Sequence, residues 1–374
     1  MPRYTFTPDD VEPLLEGLAI MGTGGGGSPA WGKAIMHNEF AHDRYPQIIP
    51  VEEIADGATV VSGGIMGSVK KLEEFGTEAI MAHWEKQFEL EAVTRVMEGI
   101  LKKKIDHMVP FEVGGLNTPV VLALGARLGI PIIDGDALGR SAPETQMTSF
   151  IGHGVSLTPM PLIDYYGNVV IVQSAVHPTY ADQLGRWVVS NGGGLGANNH
   201  YPMTGRQAKQ SVVPDTISAA LSLGKAVLAA RSGGTDPVEA VAAQVKGTRL
   251  FAGKIARLDE EERLGFYFTI ATIIGAGAYQ GQTARLAIKN ETMLLEVAGK
   301  VRVIFPDLVL LVEPGTGRGI MSIELKTGSD VVLVGVPCHP RLREAMRDEV
   351  GRQAFSPERY GRPELKYIPL EDLA

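Results

Sequence analysis

A strand, a helix and a second strand follow one another closely, and this pattern constrains the fold more than any other part of the sequence. Asp106 to Glu112 is predicted as a strand, Thr118 to Leu128 as a helix, and Ile130 to Asp134 as another strand. A short crossover of this kind joins parallel strands with a right-handed connection. The sequence therefore predicts an α/β fold in which an N-terminal domain holds a parallel or mixed sheet with flanking helices.

Further helices are predicted around this unit. Thr7 and Pro8 cap and open a first amphipathic helix, and Ser28 with Pro29 opens a second. Helical spacing of apolar residues predicts the others, which are Glu78 to Leu101, Ala181 to Ser190, Pro214 to Ala230 and Pro237 to Val245. Between them, Tyr166 to Asn168 is a turn between two apolar runs, which predicts a hairpin over Leu162 to Ser174.

The second half of the chain is rich in short β-branched runs. Such runs with turn residues between them predict a smaller β-rich domain, a barrel or a sandwich. The predicted strands are Leu250 to Ile255, Gly265 to Ile274, Ala284 to Lys289, Val301 to Phe305, Leu308 to Glu313, Met321 to Leu325 and Val331 to Val336. We therefore expect an α/β domain over residues 1–246 that carries the active site and a β-rich domain over 247–340. Residues 341–374 are expected to form a helix and a tail that pack back on the N-terminal domain.

Charge and cysteine content narrow the classes of partner. The 374-residue chain has a formal net charge of −8, and its longest basic run is Lys102 to Lys104, so we expect no nucleic-acid partner. No apolar run approaches the roughly 20 residues that span a bilayer, and the N-terminus lacks signal-peptide character, so no membrane partner is expected. The single cysteine fits a reducing compartment. These features predict a cytoplasmic enzyme, and its size favours a homo-oligomer.

A run of four glycines is the most conspicuous motif. It follows a helix, whereas a dinucleotide fingerprint needs a preceding strand, and it lacks the lysine of a phosphate loop, so no nucleotide cofactor is expected. Two interpretations stay open, a tight connection between helices and an anion site at the start of the second helix. The candidate substrate-binding residues of this loop are Gly24, Gly25, Gly26, Gly27 and Ser28.

Acidic residues follow both strands of the predicted strand–helix–strand unit. Glu112 precedes Gly114, Gly115 and Asn117, whereas Asp134 and Asp136 precede Arg140 and Glu144; the glycines, Asn117 and Arg140 are candidate substrate contacts. The carboxyl ends of parallel strands converge on one crevice, and like charges held close raise a pKa, which suits acid–base catalysis. Each acid alone could equally be a helix cap or a dipole partner. Their joint placement favours Glu112, Asp134, Asp136 and Glu144 as catalytic candidates.

Histidine and cysteine offer weaker signals. No histidine pair has the spacing of a local zinc motif, so the cofactor stays undetermined, with a divalent metal as one alternative. The candidate metal ligands are Asp136, His153 and His177. Cys338 follows a buried-looking strand and is a candidate nucleophile, although a free cysteine in such a place is commonly an inert core residue.

Three motifs together resemble a known family. They are the run from Gly22 to Pro29, Phe111 to Asn117, and Ile133 to Glu144, with weaker matches at Asn290-Glu291, Pro306 to Leu308 and Tyr367 to Pro369. The sequence resembles the S-methyl thiohydantoin desulfurase-like family, long catalogued as a domain of unknown function. That resemblance implies an N-terminal α/β domain followed by a β-rich one. It also implies hydrolysis of a small sulfur-substituted hydantoin ring, with release of a thiol.

The expected function is thus a hydrolase that acts on a small cyclic ureide. Glu112 or Asp136 would activate water, with or without a metal, and Arg140 or Asn117 would stabilise charge on the ring. Cys338 as a covalent nucleophile is a second version. A protein that binds a small molecule without catalysis, through an anion at the glycine loop, is the alternative from another class.

Overall fold

The computed structural model of the protein describes residues 3–67, 74–263 and 266–373. Across these ranges, no helix is both long enough and apolar enough to cross a lipid bilayer. The chain forms sheets with flanking helices in its first half and a curled antiparallel sheet, a half-barrel, in its second. The prediction of an α/β part joined to a β-rich part is therefore confirmed.

The helices of the described ranges lie mostly in the first two thirds of the chain. They are α1 (Val11–Met21), α2 (Pro29–Ala41), α3 (Thr77–Trp84), α4 (Glu89–Leu101), α5 (Asn117–Leu128), α6 (Pro178–Asn191), α7 (Gly205–Ser211), α8 (Thr216–Gly233), α9 (Pro237–Gln244), α10 (Pro340–Ala345) and α11 (Glu349–Ala354). The predicted starts of the first two helices hold: the Asp10 carboxylate accepts from the N–H and hydroxyl of Thr7, and the Ser28 hydroxyl accepts from the Ala30 N–H.

The strands fall into three sheets. They are β1 (Tyr4–Thr5), β2 (Gln47–Pro50), β3 (Thr59–Gly67), β4 (His107–Pro110), β5 (Ile132–Asp136), β6 (Met160–Asp164), β7 (Val169–Val172), β8 (Leu195–Thr204), β9 (Val213–Pro214), β10 (Thr248–Arg263), β11 (Phe266–Gly275), β12 (Thr283–Lys289), β13 (Glu291–Val297), β14 (Lys300–Ile304), β15 (Leu308–Val312) and β16 (Asp330–Val336). The sheet orders are β1-β2-β5-β9, β4-β3-β8-β6-β7 and β14-β13-β12-β11-β10-β16-β15.

The strand–helix–strand unit is present, but its two strands belong to different sheets. β4 pairs in parallel with β3, and β5 pairs in parallel with β2. Between the ends of the two strands, the Ala137 N–H donates to the Phe111 carbonyl at 3.3 Å. Pro110 and Pro131 lack the N–H groups that a longer ladder between β4 and β5 would need. The carboxyl ends of both parallel pairs nevertheless lie side by side, as predicted.

The single long helix predicted over Glu78 to Leu101 is wrong, because the chain breaks between α3 and α4. Phe88 leaves the helical region with φ −97° and ψ 105°. Its ring then packs against buried Trp84 at 5.1 Å between centroids. The break therefore allows both aromatic rings to be buried. The predicted hairpin, in contrast, is confirmed, since β6 and β7 pair antiparallel across its turn.

The β-rich part is one antiparallel sheet, and two details of its predicted strands are wrong. Met321 to Leu325 contains a 3-10 helix over Ser322–Glu324, where the Met321 N–H donates to the Glu324 carboxylate at 3.0 Å. The strand β13 had no counterpart in the prediction. The predicted strand start at Gly265 lies outside the described residues. β13 matters for function because it begins at Glu291.

Helices α1, α8 and α9 cover one face of the curled sheet. Their buried residues, including Ile20, Val227 and Val241, form one apolar cluster with Leu310 of β15 and Val334 of β16. The final segment contacts both halves of the chain, since the Leu370 N–H donates to the Asp307 carboxylate at 2.7 Å. Arg341 there donates to the Lys209 carbonyl at 2.6 Å. The tip of the β12–β13 hairpin lies against the glycine-rich loop, because a Cβ on Gly24 would lie 3.0 Å from the Glu291 Cα.

Candidate active site

Glu112 lies just beyond β4, in the junction between the two halves, with its carboxylate fully engaged. One oxygen accepts from the Asn117 side-chain amide at 2.5 Å, and the other accepts from the Ala142 N–H at 2.8 Å. Burial raises the pKa of Glu112 to about 7, because removal from water penalises the ionised form more than these two donors stabilise it. Glu112 can therefore both accept and return a proton near neutral pH.

Glu291, at the first position of β13, is the acid that faces Glu112 from the other half of the chain. It is 4% exposed, and its Oε2 has no hydrogen-bond partner among the described residues. Burial raises its pKa well above the ordinary value, and repulsion from Glu112 raises it further. We call Glu112 and Glu291 the acid pair. Because buried like charges resist double ionisation, ionisation of one member of the pair opposes ionisation of the other.

The glycine-rich loop packs directly against the acid pair and the loop after β4. A Cβ on Gly25 would lie less than 3.0 Å from Glu291 Oε1, and one on Gly26 would meet the Gly114 backbone equally closely. A Cβ on Gly27 would overlap Leu116, and one on Gly115 would lie 2.8 Å from the Gly27 carbonyl. The consecutive glycines are thus required for the close approach of two loops. This geometry supports the packing interpretation of the run, while Ser28 caps α2.

Asp136 holds the loop beyond β5 in place. Its carboxylate accepts from the N–H groups of Val113, Leu138 and Gly139 at 2.8 to 3.1 Å. Burial raises its pKa to about 8, and the Glu112 charge adds to the shift. The bond to Val113 ties the loop of β5 to the loop of β4, so Asp136 positions the backbone next to Glu112.

Asp134 turns away from the acid pair towards α8. One carboxylate oxygen accepts from the Ile217 N–H at 3.1 Å and the Ser218 N–H at 3.0 Å. Asp134 thus acts as a cap at the start of that helix, the role that the sequence left open for an isolated acid. The structure does not bring Asp134 together with Glu112.

Arg140 is fully buried and ties the two halves of the chain together. Its guanidinium donates to the carbonyls of Ser141, Pro306, Asp307 and Thr292, and it lies 4.6 Å from the centroid of the Phe305 ring. All three of its nitrogens donate to backbone oxygens, and these bonds use four of its five N–H groups. Its charge still acts on the acid pair, since it opposes the rise in pKa of both members. Arg140 is therefore a positioning residue.

A groove of about 1210 Å³ is lined by residues near the acid pair in sequence or in charge interaction, such as Lys289 and Arg186, but Glu112 and Glu291 themselves do not line it. On its wall, Glu144 pairs with Lys289 at 2.5 Å and with Arg359, and Asp182 pairs with Arg186 at 2.8 Å. The Phe266 ring lies between two cations, with the guanidinium of Arg186 4.0 Å and the ammonium of Lys289 4.2 Å from its centroid. Despite burial, Arg359 and Lys289 hold the pKa of Glu144 below its usual range. Glu144 is thus a paired acid of the groove wall.

Arg186 connects the groove to the acid pair. It lines the groove and donates to the Pro143 carbonyl, one residue from the Ala142 N–H that binds Glu112. Its charge lowers the pKa of both Glu112 and Glu291 against the larger effect of burial. The same hairpin tip contributes to both regions, because Lys289 and Glu291 pair directly across it. Arg186 and the hairpin tip therefore link the groove wall to the acid pair.

Buried polar side chains and open space lie on β3 and β8 near Glu112. Gly64 is buried, yet a Cβ on it would meet no atom within 4 Å, so a small internal space adjoins it. Gly63 pairs with Pro110 of β4, which places Gly64 beside the residues that lead to Glu112. On the neighbouring strand, His200 Nδ1 and Asn199 Oδ1 lack hydrogen-bond partners among the described residues. Burial lowers the pKa of His200 to about 3, so it is neutral.

The remaining predicted site residues lie apart from the acid pair. His177 caps α6 and bonds Gln353 at 2.8 Å, and His153 lies 3.9 Å from Glu344. Within the described ranges, no three His, Cys, Asp or Glu side chains are placed to hold one metal ion, so Asp136, His153 and His177 are not brought together. Burial raises the pKa of the Cys338 thiol to about 12, with nearby Asp307 adding to the shift, which is the opposite of what a nucleophile requires.

Sequence reasoning missed four residues of this region, which are Asp182, Arg186, Lys289 and Glu291. Asp182 and Arg186 lie one turn apart on α6, and this spacing is typical of an ordinary ion pair on a helix surface. Glu291 gave one signal, because Asn290-Glu291 was among the weaker motif matches. Asn290 has φ +56°, a left-handed value that asparagine tolerates, so it makes the tight turn that presents Lys289 and Glu291.

Comparisons with known proteins agree with this architecture. The family model described as "S-Me-THD-like, N-terminal domain" matches residues 9–174, and "S-Me-THD-like, C-terminal domain" matches residues 176–370. These matches divide the chain near residue 175, before the change to β-rich sequence near 246. No curated protein sequence matches the chain.

A solved structure shares the fold. The X-ray crystal structure of a protein from Chromobacterium violaceum, a target of the Northeast Structural Genomics Consortium, matches with a TM-score of 0.74 and 23% sequence identity. The match covers 98% of this chain and 100% of that one. At this identity the likeness shows the fold alone. The two family models, however, cover nearly all of the sequence, and the chain belongs to the S-Me-THD-like family, the S-methyl thiohydantoin desulfurase-like family that its motifs resemble.

Proposed function

We propose that the protein is a hydrolase that replaces the sulfur substituent of a small S-alkylated thiohydantoin ring by oxygen and releases the thiol. Family membership supports the substrate class. The observation that carries the proposal is the acid pair, in which burial and mutual repulsion raise the pKa values of two neighbouring glutamates. Two acids that share a proton near neutral pH suit a reaction that needs both a base and an acid.

Each member of the pair has a distinct role in this scheme. Glu112, whose pKa is about 7, removes one proton from a water molecule as the water oxygen bonds to the ring carbon. Glu291, whose pKa is higher than its ordinary value, starts protonated and gives its proton to the departing thiolate as the C–S bond breaks. The ring retains a hydroxyl that tautomerises to the hydantoin carbonyl. Transfer of one proton from Glu112 to Glu291 then restores the starting state.

The surroundings of the pair fit these roles. The Asn117 amide and the Ala142 N–H hold the Glu112 carboxylate from both sides, so its orientation is fixed before a substrate binds. The groove lined by Arg186 is large enough for a small heterocycle. Positive charge from Arg186 and Arg140 opposes the rise in pKa and keeps Glu112 partly ionised at pH 7.

The test is turnover of an S-methyl thiohydantoin, followed by trapping the released methanethiol with a thiol reagent. Glu112→Gln and Glu291→Gln each remove a proton-transfer group, so we expect kcat to fall by about 10²- to 10⁴-fold. Glu239→Gln is the matched control, because Glu239 lies exposed on α9 and forms only a 3.7 Å pair with Arg249. Unchanged turnover in Glu112→Gln would refute the role of the acid pair.

A protein that only binds its ligand would behave differently in the same experiment. The compound would raise the thermal unfolding temperature without any thiol being released, because ligand binding stabilises the native state by mass action. That outcome would replace hydrolysis by the binding alternative. The packed glycine loop argues against the form of this alternative in which an anion occupies the loop.

A further inference from the structure

Two neutral polar side chains lie next to each other on β3 and β8, and we call the space beside them the β3–β8 pocket. Ser62 of β3 pairs with His200 of β8, and both are almost completely buried. The Ser62 hydroxyl and His200 Nδ1 have no hydrogen-bond partner among the described residues. Buried polar groups are normally paired, because an unpaired one costs free energy. Two such groups at one position of the ladder therefore indicate a binding site.

Open space adjoins this pair on the same side of the sheet. Gly64 follows Ser62 by two residues, so both face the same way, because side chains alternate along a strand. Gly64 is buried, yet a Cβ on it would meet no atom of the described residues within 4 Å. Gly63 faces the other way and has no such space, since its Cβ would lie 2.5 Å from the Asn199 side-chain amide. The space therefore belongs to the side that carries Ser62 and His200.

Helix α6 covers this side of the sheet. A Cβ on Gly185 of α6 would lie 3.2 Å from Leu162 Cδ2 and 3.4 Å from the sulfur of Met66, which follows Gly64 by two residues. Asp182 lies one turn before Gly185 on the same side of the helix, and its charge acts on His200. Because Asp182 also lines the groove, the pocket lies next to the groove wall.

The other side of the pocket leads to Glu112. Ser62 pairs with Val109 of β4, and the Phe111 ring, two residues further along, lies edge-on to the His200 ring with 5.6 Å between centroids. Glu112 is the next residue in the chain. The β3–β8 pocket is therefore located between the groove wall and the strand end that carries Glu112.

The two polar groups are complementary to an uncharged amide. Burial lowers the pKa of His200 to about 3 against the attraction of Asp182, so the imidazole is neutral and has one donor and one acceptor nitrogen. A hydroxyl can donate or accept, so Ser62 and His200 together offer one donor and one acceptor, whichever ring nitrogen carries the proton. A carboxylate in the same place would lose its hydration and face the negative charge of Asp182.

We propose that the β3–β8 pocket binds the amide edge of the substrate ring, with Ser62 and His200 as hydrogen-bond partners of its adjacent N–H and C=O groups. The inference rests on the proposed function for the identity of the ring. In an S-alkylated thiohydantoin the carbon that carries sulfur is bonded to this N–H, so binding by the amide edge also fixes the position of the reacting carbon. Ser62 and His200 are specificity residues in this scheme, and Gly64 provides the room for the ring.

The test combines binding of hydantoin, measured by saturation-transfer NMR, with KM and kcat for an S-methyl thiohydantoin. Gly64→Ala places a methyl group in the open space, so we expect the Kd of hydantoin and the KM to rise by about tenfold or more. Because that methyl group meets no described atom, Tm should not change. Gly57→Ala is the matched control, since Gly57 is exposed and a Cβ on it also meets no atom within 4 Å.

Two further measurements test the hydrogen bonds themselves. Ser62→Ala removes one partner, so we expect the Kd of hydantoin to rise by about three- to tenfold in a protein that is folded by circular dichroism. The compound 1,3-dimethylhydantoin keeps both carbonyl groups but has no N–H, so we expect no binding to the natural chain. A space that holds only an ordered water would give a different result, in which Gly64→Ala lowers Tm and leaves the Kd of hydantoin unchanged.

Three results would overturn the proposal: no binding of hydantoin to the natural chain, an unchanged Kd in folded Gly64→Ala, or equal binding of hydantoin and its dimethyl analogue. The outcomes also separate the pocket from the reaction. Turnover with an unchanged KM in Gly64→Ala would leave hydrolysis standing and remove the pocket. Binding of hydantoin that is lost in Gly64→Ala, in a protein without turnover, would support the pocket and refute hydrolysis.

Discussion

The carboxylate of Glu291 fills the space that a side chain at Gly25 would need. A Cβ built on Gly25 would lie less than 3.0 Å from Glu291 Oε1, although the two residues are separated by most of the chain. The same carboxylate carries an unpartnered buried oxygen. The glycine-rich loop and β13 therefore pack as a single unit, in which the absence of a side chain on one element makes room for the buried acid of the other.

This contact predicts the effect of a single methyl group. Gly25→Ala should displace Glu291, so we expect kcat to fall by at least about tenfold and the free energy of unfolding to fall by about 1 to 3 kcal/mol, as for other overpacked sites. Gly57→Ala is the control, because a Cβ there meets no atom within 4 Å. Thiol release and urea unfolding measure the two quantities.

The double variant separates a clash with Glu291 from a general effect on the loop. If the carboxylate causes the strain, Gly25→Ala combined with Glu291→Ala should be more stable than the sum of the two single changes predicts, since residues in contact are not additive. Strict additivity would show that Gly25 is needed for some other reason.

Substitution of Asp134 should change the free energy of unfolding, whereas substitution of Glu112 should change kcat. Asp134 caps α8 through the Ile217 and Ser218 N–H groups, so Asp134→Ala should lower the free energy of unfolding by about 0.5 to 2 kcal/mol, as the loss of other caps does. Because Asp134 faces away from the acid pair, kcat should stay within about twofold. A fall in kcat that matches that of Glu112→Gln would place Asp134 in the reaction.

The sequence predicted the half of the site that depends on local pattern. Glu112 follows a short apolar strand, and Asn117 begins the next helix, so periodicity and turn residues were enough to place both. The sequence showed the glycines as a motif but did not show why they are needed, because each one packs against a neighbour that is distant in sequence. Gly26 faces Gly114, and only the folded chain shows that contact.

Glu291 shows why the rest could not be predicted. Its importance comes from burial beside another acid, and neither its burial nor its proximity to Glu112 can be inferred from the residues around it in the sequence. Arg140 shows the reverse error. It has the residue type of a substrate-binding group, but its guanidinium is buried and donates to four backbone carbonyls. The type and spacing of a residue indicate what it can do, whereas tertiary contacts decide what remains free to do it.

Cys338 should be inert in the native protein. Its thiol has a pKa of about 12, because burial and nearby Asp307 disfavour the thiolate, and it lies 3.5 Å from the Tyr367 hydroxyl. We expect iodoacetamide to modify it only after unfolding, as measured by intact mass, and Cys338→Ser to retain kcat within about threefold. Rapid alkylation of the folded protein, with loss of turnover, would revive the covalent version of the mechanism.

The raised pKa of Glu112 predicts that the protein is less stable at alkaline pH than an otherwise identical chain without this acid. The pKa is 4.5 when the group is unperturbed and about 7 in the folded protein. Below pH 4.5 the carboxyl is protonated in both states and carries no penalty. As the pH rises to 7, the unfolded chain releases the proton while the native chain keeps it, so the free energy of unfolding falls.

Glu112→Gln removes this pH dependence, because an amide stays neutral; its NH2 group faces one of the two donors, Asn117 or Ala142, at a cost in stability that is the same at every pH. We therefore expect the variant to gain stability over the natural chain between pH 5 and pH 8, by at most about 3 kcal/mol, while it loses turnover. Urea unfolding at the two pH values measures the gain, and Glu239→Gln should show none. Loss of the charge on Glu112 also removes the repulsion that raises the pKa of Glu291, so part of the gain comes from its neighbour. An equal difference between the variant and the natural chain at both pH values would mean that Glu112 titrates normally, and the acid pair would then lack the proton that the mechanism needs.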